Sequence, residues 1–387
     1  MTKDDFIQFH KIVTDETEIK EVTEAIKSGW LTSGPKTKKF EEEFKNYIGT
    51  QHAVVVSSWT AAAHLSLEAL GVTKNDEIIL PAVTFTATAE IVCYFHATPI
   101  IVDIDPQTIN ISIDEIEKHI SPKTKVIIPV HYGGLPCDMD EIMEIASSKG
   151  IKVLEDAAHS LPALYKNRKI GTIGDVTCFS FYATKTLSTG EGGMICSNDP
   201  ELAKRCSIMR LHGISADVWN RYTENGSWYY EVIAPGYKYN FTDIQAGLGL
   251  AQLKKLESNY QKRVVIAEKY NNAFKCNELI QVPCIKPDRK SAWHLYSILL
   301  NIDALNISRA DFVNKMKEKG IGCSVHFIPL YRHPFYRDNF KLLPENYPNS
   351  EYVYQRQVSL PIWPGMNDEQ INRVIDAVLD LINKYKR

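Results

Sequence analysis

Between residues 53 and 197 the chain alternates short apolar runs with helical stretches, and that rhythm limits the available folds more than any other feature. The runs at 53–57, 77–81, 99–104, 125–130, 151–156, 176–181 and 193–197 are filled mainly by Ile, Val and Leu, the composition of strands covered on both faces. Helical patterns at 60–70, 86–95 and 138–148 lie between them. The alternation predicts an α/β fold with a mainly parallel, seven-stranded sheet sandwiched by helices and joined by right-handed crossovers. In such sheets ligands gather at the carboxyl ends of the strands. Ser57, Ser58, Asp156 and Lys185 all fall at or just beyond expected strand ends.

The rest of the chain reads as a smaller α+β unit. A helix charged on one face runs from 242 to about 274, with no proline or low-complexity linker to interrupt it. Beyond it come a strand at 295–300, a helix at 308–319 and a strand near 322–327. A final helix over 367–385 carries Ile371, Val374, Ile375, Val378, Leu381 and Ile382 on one face, with Asn367 as its cap. At 387 residues the chain is too long for one small core. We expect a large domain over 1–250, including an N-terminal arm, and a small C-terminal domain over 251–387.

Bulk properties exclude several classes of function. A formal net charge of -3 provides no global attraction for nucleic acid or anionic membrane. No run approaches the ~18 uninterrupted apolar residues of a spanning helix, and the start of the chain lacks an apolar signal core. The eight cysteines are scattered singly with no C-x-x-C pair, which argues against a metal knuckle or redox dithiol. A reduced, cytoplasmic setting follows as the expectation. No phosphate-binding P-loop, dinucleotide fingerprint or H-E-x-x-H is present.

Lys185 is the centre of the chemistry. It follows Phe179-Ser180-Phe181-Tyr182-Ala183-Thr184 and precedes Gly190-Glu191-Gly192-Gly193, so it sits on a short loop where the backbone can approach closely. A lysine after a strand is usually solvated; here its surroundings suggest pyridoxal phosphate tethered as a Schiff base. Asp156, at the end of another strand, suits the pyridine nitrogen, which a carboxylate keeps protonated by shifting its pKa ~1–3 units. Read alone it is equally a helix cap. His159, three residues on, is placed to meet the phenolic oxygen of the ring, or else is a structural histidine. Val54-Val55-Val56-Ser57-Ser58-Trp59-Thr60 runs from a strand straight into a helix start, whose free amides suit a phosphate. Thr60 and Ser180 add hydroxyls. Phe85 follows the next strand and is available to stack on a ring, unless it belongs to the core.

These residues resemble those of the DegT/DnrJ/EryC1/StrS sugar-nucleotide aminotransferases, of aminotransferase fold type I. The resemblance runs nearly end to end from Ser28-Gly29-Trp30-Leu31-Thr32-Ser33-Gly34-Pro35. It is carried by Glu155-Asp156-Ala157-Ala158-His159, by residues 179–193 and by Pro235-Gly236-Tyr237-Lys238-Tyr239-Asn240-Phe241-Thr242-Asp243. Val130-His131-Tyr132-Gly133-Gly134, Arg210-Leu211-His212-Gly213 and Trp293-His294-Leu295-Tyr296 support it.

The resemblance implies that Lys185 is the Schiff-base lysine and Asp156 the ring-nitrogen partner. It implies that Thr60, Ala61 and Ser180 hold the phosphate, that Phe85 stacks on the ring, and that Glu191 and His326 border the sugar. Asn240 would reach the phosphate of a second subunit, giving a homodimer with shared sites. The implied substrates are L-glutamate, which leaves as 2-oxoglutarate, and a UDP-linked 4-keto sugar. The product would be a 4-amino sugar for a cell-surface glycan. Amination at position 3, a dehydratase of the same fold and a non-catalytic regulator are the alternatives. Arg210, Lys238 and Arg332 are the basic groups offered to the diphosphate. Trp59 stands where a small residue is expected, with bulk that would narrow the sugar pocket. Thr186 follows the lysine where Asn is common.

Overall fold

The computed structural model describes residues 6–215 and 229–387. A seven-stranded sheet is built from β1 (His52–Val56), β2 (Glu77–Pro81), β3 (Thr98–Val102), β4 (Thr124–Ile127), β5 (Lys152–Asp156), β6 (Val176–Ser180) and β7 (Gly193–Ser197). The spatial order is β1-β7-β6-β5-β4-β2-β3. Strand β7 runs antiparallel to both β1 and β6, and every other pair is parallel. Each expected run falls on a strand. The ends differ where Ile104 and Val130 leave the ladder to form isolated bridges with Ile111 and Asp156.

Successive residues of each strand serve opposite faces. On β6, Cys178 packs with Trp59, Leu65 and Leu67 of the helix Trp59–Ala69. Its neighbour Phe179 packs with Phe40 and Phe44 of the helix Pro35–Ile48, meeting Phe44 edge-on at 5.3 Å. The apolar strand composition is therefore used on both sides.

One carboxylate joins these layers. Gly34 precedes Pro35–Ile48 and has no side chain to cap it. Asp243, at the start of the helix Asp243–Phe274, fills that role from the far side of the chain. Its Oδ1 accepts from the amides of Gly34 and Thr37, each at 2.9 Å, and from Thr37 Oγ1 at 2.7 Å. Its Oδ2 accepts from the Lys36 amide at 3.1 Å. The orphan donors of one helix are thus satisfied by the first residue of another. Thr242 and Gln245 cap Asp243–Phe274 reciprocally.

The position between residues 250 and 251 lies inside this uninterrupted helix. Its later turns contribute Ile266, Tyr270 and Phe274 to a separate apolar cluster. That cluster includes β9 (Tyr296–Leu300) and β10 (Gln357–Leu360) of a three-stranded antiparallel sheet whose edge is β8 (Ile280–Gln281). The helix Asp368–Tyr385 closes it with Ile371, Val374, Val378, Leu381 and Ile382 buried, and Asn367 and Gln370 form its capping box. Ile375 is only partly buried.

The strand expected near 322–327 is not formed. Only Ser324 pairs, in an isolated bridge with Ser359. The Gly322 amide instead donates to the carbonyl of Ile7, whose own amide donates to Gly320. The N-terminal segment thus takes the place a longer strand would need.

Asp243→Ala should destabilise the protein by about 2–3 kcal/mol, because four donors lose a charged acceptor. Asp368→Ala, which removes an exposed pairing with Lys269, should change stability by less than about 0.5 kcal/mol. Urea unfolding of the two variants beside the parent checks both.

Candidate active site

The carboxyl ends of β1, β5 and β6 meet on one edge of the sheet. Gly193 pairs with Val56 on one side and with Ser180 on the other. A Cβ there would lie 2.4 Å from the carbonyl oxygen of Ser58, so only glycine lets β7 pass under the turn into the helix Trp59–Ala69. Ser58 caps that helix by accepting from the Ala61 amide at 3.0 Å. The amides of Trp59 and Thr60 have no acceptor among the described residues. They open toward a cavity of about 380 Å³ lined in part by Ser58, Thr60, Phe85, Asp156, Ser180 and Lys185.

Asp156 ends β5 and is buried. Its Oδ2 accepts from Thr88 Oγ1 at 2.9 Å and its Oδ1 from the Ala158 amide at 3.1 Å. Burial raises its pKa to about 6, although these hydrogen bonds and the nearby Lys185 favour the charged form. Lys185 lies beyond β6 in a turn closed by its amide donating to Tyr182 O at 2.9 Å. Burial lowers its amine to about 8, and Asp156 opposes that shift. The cavity thus holds an amine that gives up its proton more readily than a free lysine and a carboxylate with unmet demand for a positive partner.

Four imidazoles surround the lysine: His10, His159, His294 and His326 all line the same cavity. Burial is the largest cause of lowered pKa for each, and the charge of Lys185 adds to it. His10 falls to about 3 and His326 to about 4. All four are neutral near pH 7 and can donate from one nitrogen and accept at the other. His159 Nδ1 accepts from the Gly133 amide at 3.3 Å. His10 Nε2 and His294 Nδ1 are buried without a partner among the described residues.

Beneath Asp156, on the other face of β5, Glu155 is fully buried. It accepts from Thr177 Oγ1 and the Gly174 amide at 2.8 Å each. His131 Nε2 lies 3.0 Å from it, while the other nitrogen of that ring accepts from the Cys137 amide. This fixes the tautomer with the proton on Nε2.

Most sequence-derived candidates share the cavity, with qualifications. Thr60, Phe85, Asp156, His159, Ser180, Lys185, Glu191 and His326 all line it. Phe85 is 60% exposed and sits 6.0 Å from the Phe327 ring, so it is not a core aromatic. The Ala61 amide is taken by Ser58, and Ala61 is not on the cavity wall. Asn240 also lies off the cavity of its own chain, donating to Ser33 Oγ at 3.0 Å.

Trp59, like Ser58 and Thr60, lines the cavity. The ring is buried and donates from Nε1 to the carbonyl of Cys178 at 3.0 Å. Arg210 binds Glu41 and the Val55 carbonyl, Arg332 binds Glu351, and neither they nor Lys238 line the cavity. Thr186 donates to the carbonyl of Leu161. Sequence reasoning missed Thr88, His10 and His294 as wall residues. Thr88 lies in the first turn of the helix Ala87–Tyr94, four residues after its hydrogen-bond partner Thr84 in the preceding loop, at 2.8 Å.

The comparisons with known proteins agree with this geometry. The profile of the DegT/DnrJ/EryC1/StrS aminotransferase family matches residues 13–379. The chain belongs to that family. It is 45% identical over 378 residues to the spore coat polysaccharide biosynthesis protein SpsC of Bacillus subtilis, covering 97% of each chain. It superposes on Helicobacter pylori PseC, an aminotransferase involved in pseudoaminic acid biosynthesis, with a TM-score of 0.91 at 29% identity. That match covers 98% of this chain and 100% of the other. A Streptococcus pneumoniae chain described as a sugar aminotransferase, Spr1654, gives a TM-score of 0.91 in its PLP form at 33% identity. It covers 98% of this chain and 99% of that one. The protein is therefore a pyridoxal-phosphate-dependent sugar aminotransferase of the type I fold.

The residues present fit that cofactor. A lysine with a lowered pKa, a carboxylate lacking a cationic partner and two unclaimed helix amides match its aldehyde, ring nitrogen and phosphate. In cofactor-stripped protein, Lys185 should react with pyridoxal phosphate at a rate that rises with pH through about 8 rather than 10.5, because the neutral amine is the nucleophile. Asp156→Ala should move that inflection to lower pH, since the lost charge was holding the amine's pKa up. Borohydride trapping and peptide mapping across a pH series check both.

Proposed function

We propose that the protein transfers the amino group of L-glutamate to C4 of a UDP-linked 4-keto sugar, forming a 4-amino sugar for a cell-surface glycan. The observation that carries this reading is the pairing of Lys185 with Asp156 in one cavity beside free helix amides. The names of SpsC and PseC support the glycan assignment. The neutral, aromatic-edged wall of His326, Phe327, Phe85 and Phe9 suits a sugar face.

Bound pyridoxal phosphate supplies an electron sink and carries nitrogen between the two half-reactions. Lys185 Nζ takes the proton from the α-carbon of glutamate and delivers one to C4 of the sugar. Asp156, with Thr88 holding one oxygen, keeps the ring nitrogen protonated. His159 orients the ring through its phenolic oxygen. Ser58, Thr60 and Ser180 hold the phosphate, with the Trp59 and Thr60 amides. Glu191, exposed at the rim, and His326 border the sugar.

Asn240, which does not line the cavity of its own chain, serves the phosphate site of a second copy, making the enzyme a homodimer with shared sites. The eight cysteines are all free, in keeping with a cytoplasmic enzyme. Among the described residues no helix is long and apolar enough to cross a membrane.

Incubation with glutamate and a panel of UDP- and dTDP-keto sugars should yield one equivalent of 2-oxoglutarate per amino sugar, with nitrogen at C4 by NMR. Nitrogen at C3 would overturn the position assigned. For the shared site, Lys185→Ala and Asn240→Ala should each be nearly inactive alone. Co-expressed as a mixed dimer, they should recover about half of the parental turnover, since one site then keeps both residues. Absence of recovery in isolated mixed dimers would refute the sharing.

A further inference from the structure

A buried chain of hydroxyls leads from the small sheet to the cavity wall. Gln357, fully buried on β10, donates from Nε2 to the Tyr132 hydroxyl. Tyr132 Oη lies 3.0 Å from Ser297 Oγ, which lies 2.9 Å from Ser359 Oγ, which lies 2.9 Å from His326 Nδ1. Ser297, Ser359 and Tyr132 are all buried. None of the four relay residues lines the cavity; only His326 does.

The direction of this chain follows from counting protons. With the Gln357 amide oriented so that Nε2 faces the phenol and Oε1 is left without a partner among the described residues, Tyr132 accepts from Gln357 and its one proton goes to the serine pair, first to Ser297. Ser297 then donates to Ser359, and Ser359 donates to His326 Nδ1. The imidazole must carry its proton on Nε2. That nitrogen has no partner among the described residues and is not one of the enclosed orphan atoms, so it is open to the cavity. Burial keeps the phenol of Tyr132 protonated and holds the imidazole neutral near pH 7, so neither end of the chain changes charge there.

We propose that the relay Gln357–Tyr132–Ser297–Ser359 fixes His326 as a neutral Nε2–H donor aimed at an acceptor oxygen of the sugar substrate. The His326 ring stacks on Phe9 at 5.2 Å and meets Phe327 edge-on at 5.2 Å, leaving one polar hydrogen on an apolar wall. A ligand offering a hydroxyl or carbonyl oxygen between apolar ring edges, as a sugar does, matches that surface. A free carboxylate would call for a cation, and His326 offers none. The four relay residues are positioning residues, acting only through the imidazole. The inference rests on the sugar-nucleotide reading above.

The test has two independent arms. In holoenzyme labelled with ¹⁵N-histidine, the His326 signals, identified by their loss in His326→Gln, should show a protonated Nε2 and a bare Nδ1 at neutral pH. A proton on Nδ1, the result expected if the Gln357 amide faced the other way, or a charged ring would overturn the proposal. In the second arm, Ser359→Ala should raise KM for the keto sugar about tenfold, while the glutamate half-reaction, followed by loss of the cofactor's visible band, changes less than about twofold. His326→Gln, whose amide reaches the Nε2 position, should retain about tenfold more sugar turnover than His326→Asn. Equal slowing of both half-reactions in Ser359→Ala would show a merely structural role and overturn the proposal. If the parent enzyme aminates no keto sugar at all, the substrate reading fails while the tautomer measurement still stands.

Discussion

The arrangement of the site depends on the close passage of Gly193 beneath Ser58. That contact puts three strand ends at one level, because Gly193 is in register with Val56 and with Ser180. The start of the helix Trp59–Ala69 then lies beside the hydroxyl of Ser180, and the loop bearing Lys185 must close above them. Any side chain at Gly193 would push β7 away from the turn and separate the groups that have to act together.

The electrostatics follow from this crowding. Drawing an amine, a carboxylate and four imidazoles into one apolar-edged cavity removes water from all of them, and desolvation leads the shift of each. The outcome differs by residue type. The imidazoles become neutral, the amine holds its proton less tightly, and the carboxylate is left short of a partner. The last two conditions are met by a cofactor that brings a ring cation and an electrophilic carbon. A cavity with one dominant charge sign would not prepare both ends at once.

Much of this was legible in the sequence, for identifiable reasons. The seven strands showed because they are buried on both faces and so are apolar throughout, as in Ile79 and Leu80 or Cys178 and Phe179. Lys185 and Asp156 showed because they punctuate strand ends. The strand near 322–327 misled because its alternating pattern survives while its backbone partners are taken by Ile7. His10 was invisible because it arrives on a segment with no periodicity and gains its place only through tertiary contact. The orientation of the Trp59 indole could not be read because it depends on a hydrogen bond to Cys178, a partner 119 residues away. The carboxylates that bind Arg210 and Arg332 were illegible for the same reason, since they are set by the fold rather than by neighbouring sequence.

The Glu155-Asp156 pair carries a lesson for anyone altering this enzyme. Both residues are acidic, both are buried and they are adjacent, yet the pleat of β5 sends them to opposite sides of the sheet. Glu155 answers to Thr177, Gly174 and His131 in the packed interior, whereas Asp156 answers to Thr88 and the cavity. Transposing the two letters would conserve composition, charge and strand propensity while putting each carboxylate on the wrong side of the wall. A library that treats the motif as two interchangeable acids would therefore sample mostly dead proteins, and one that inserts a single residue upstream in the strand would do the same.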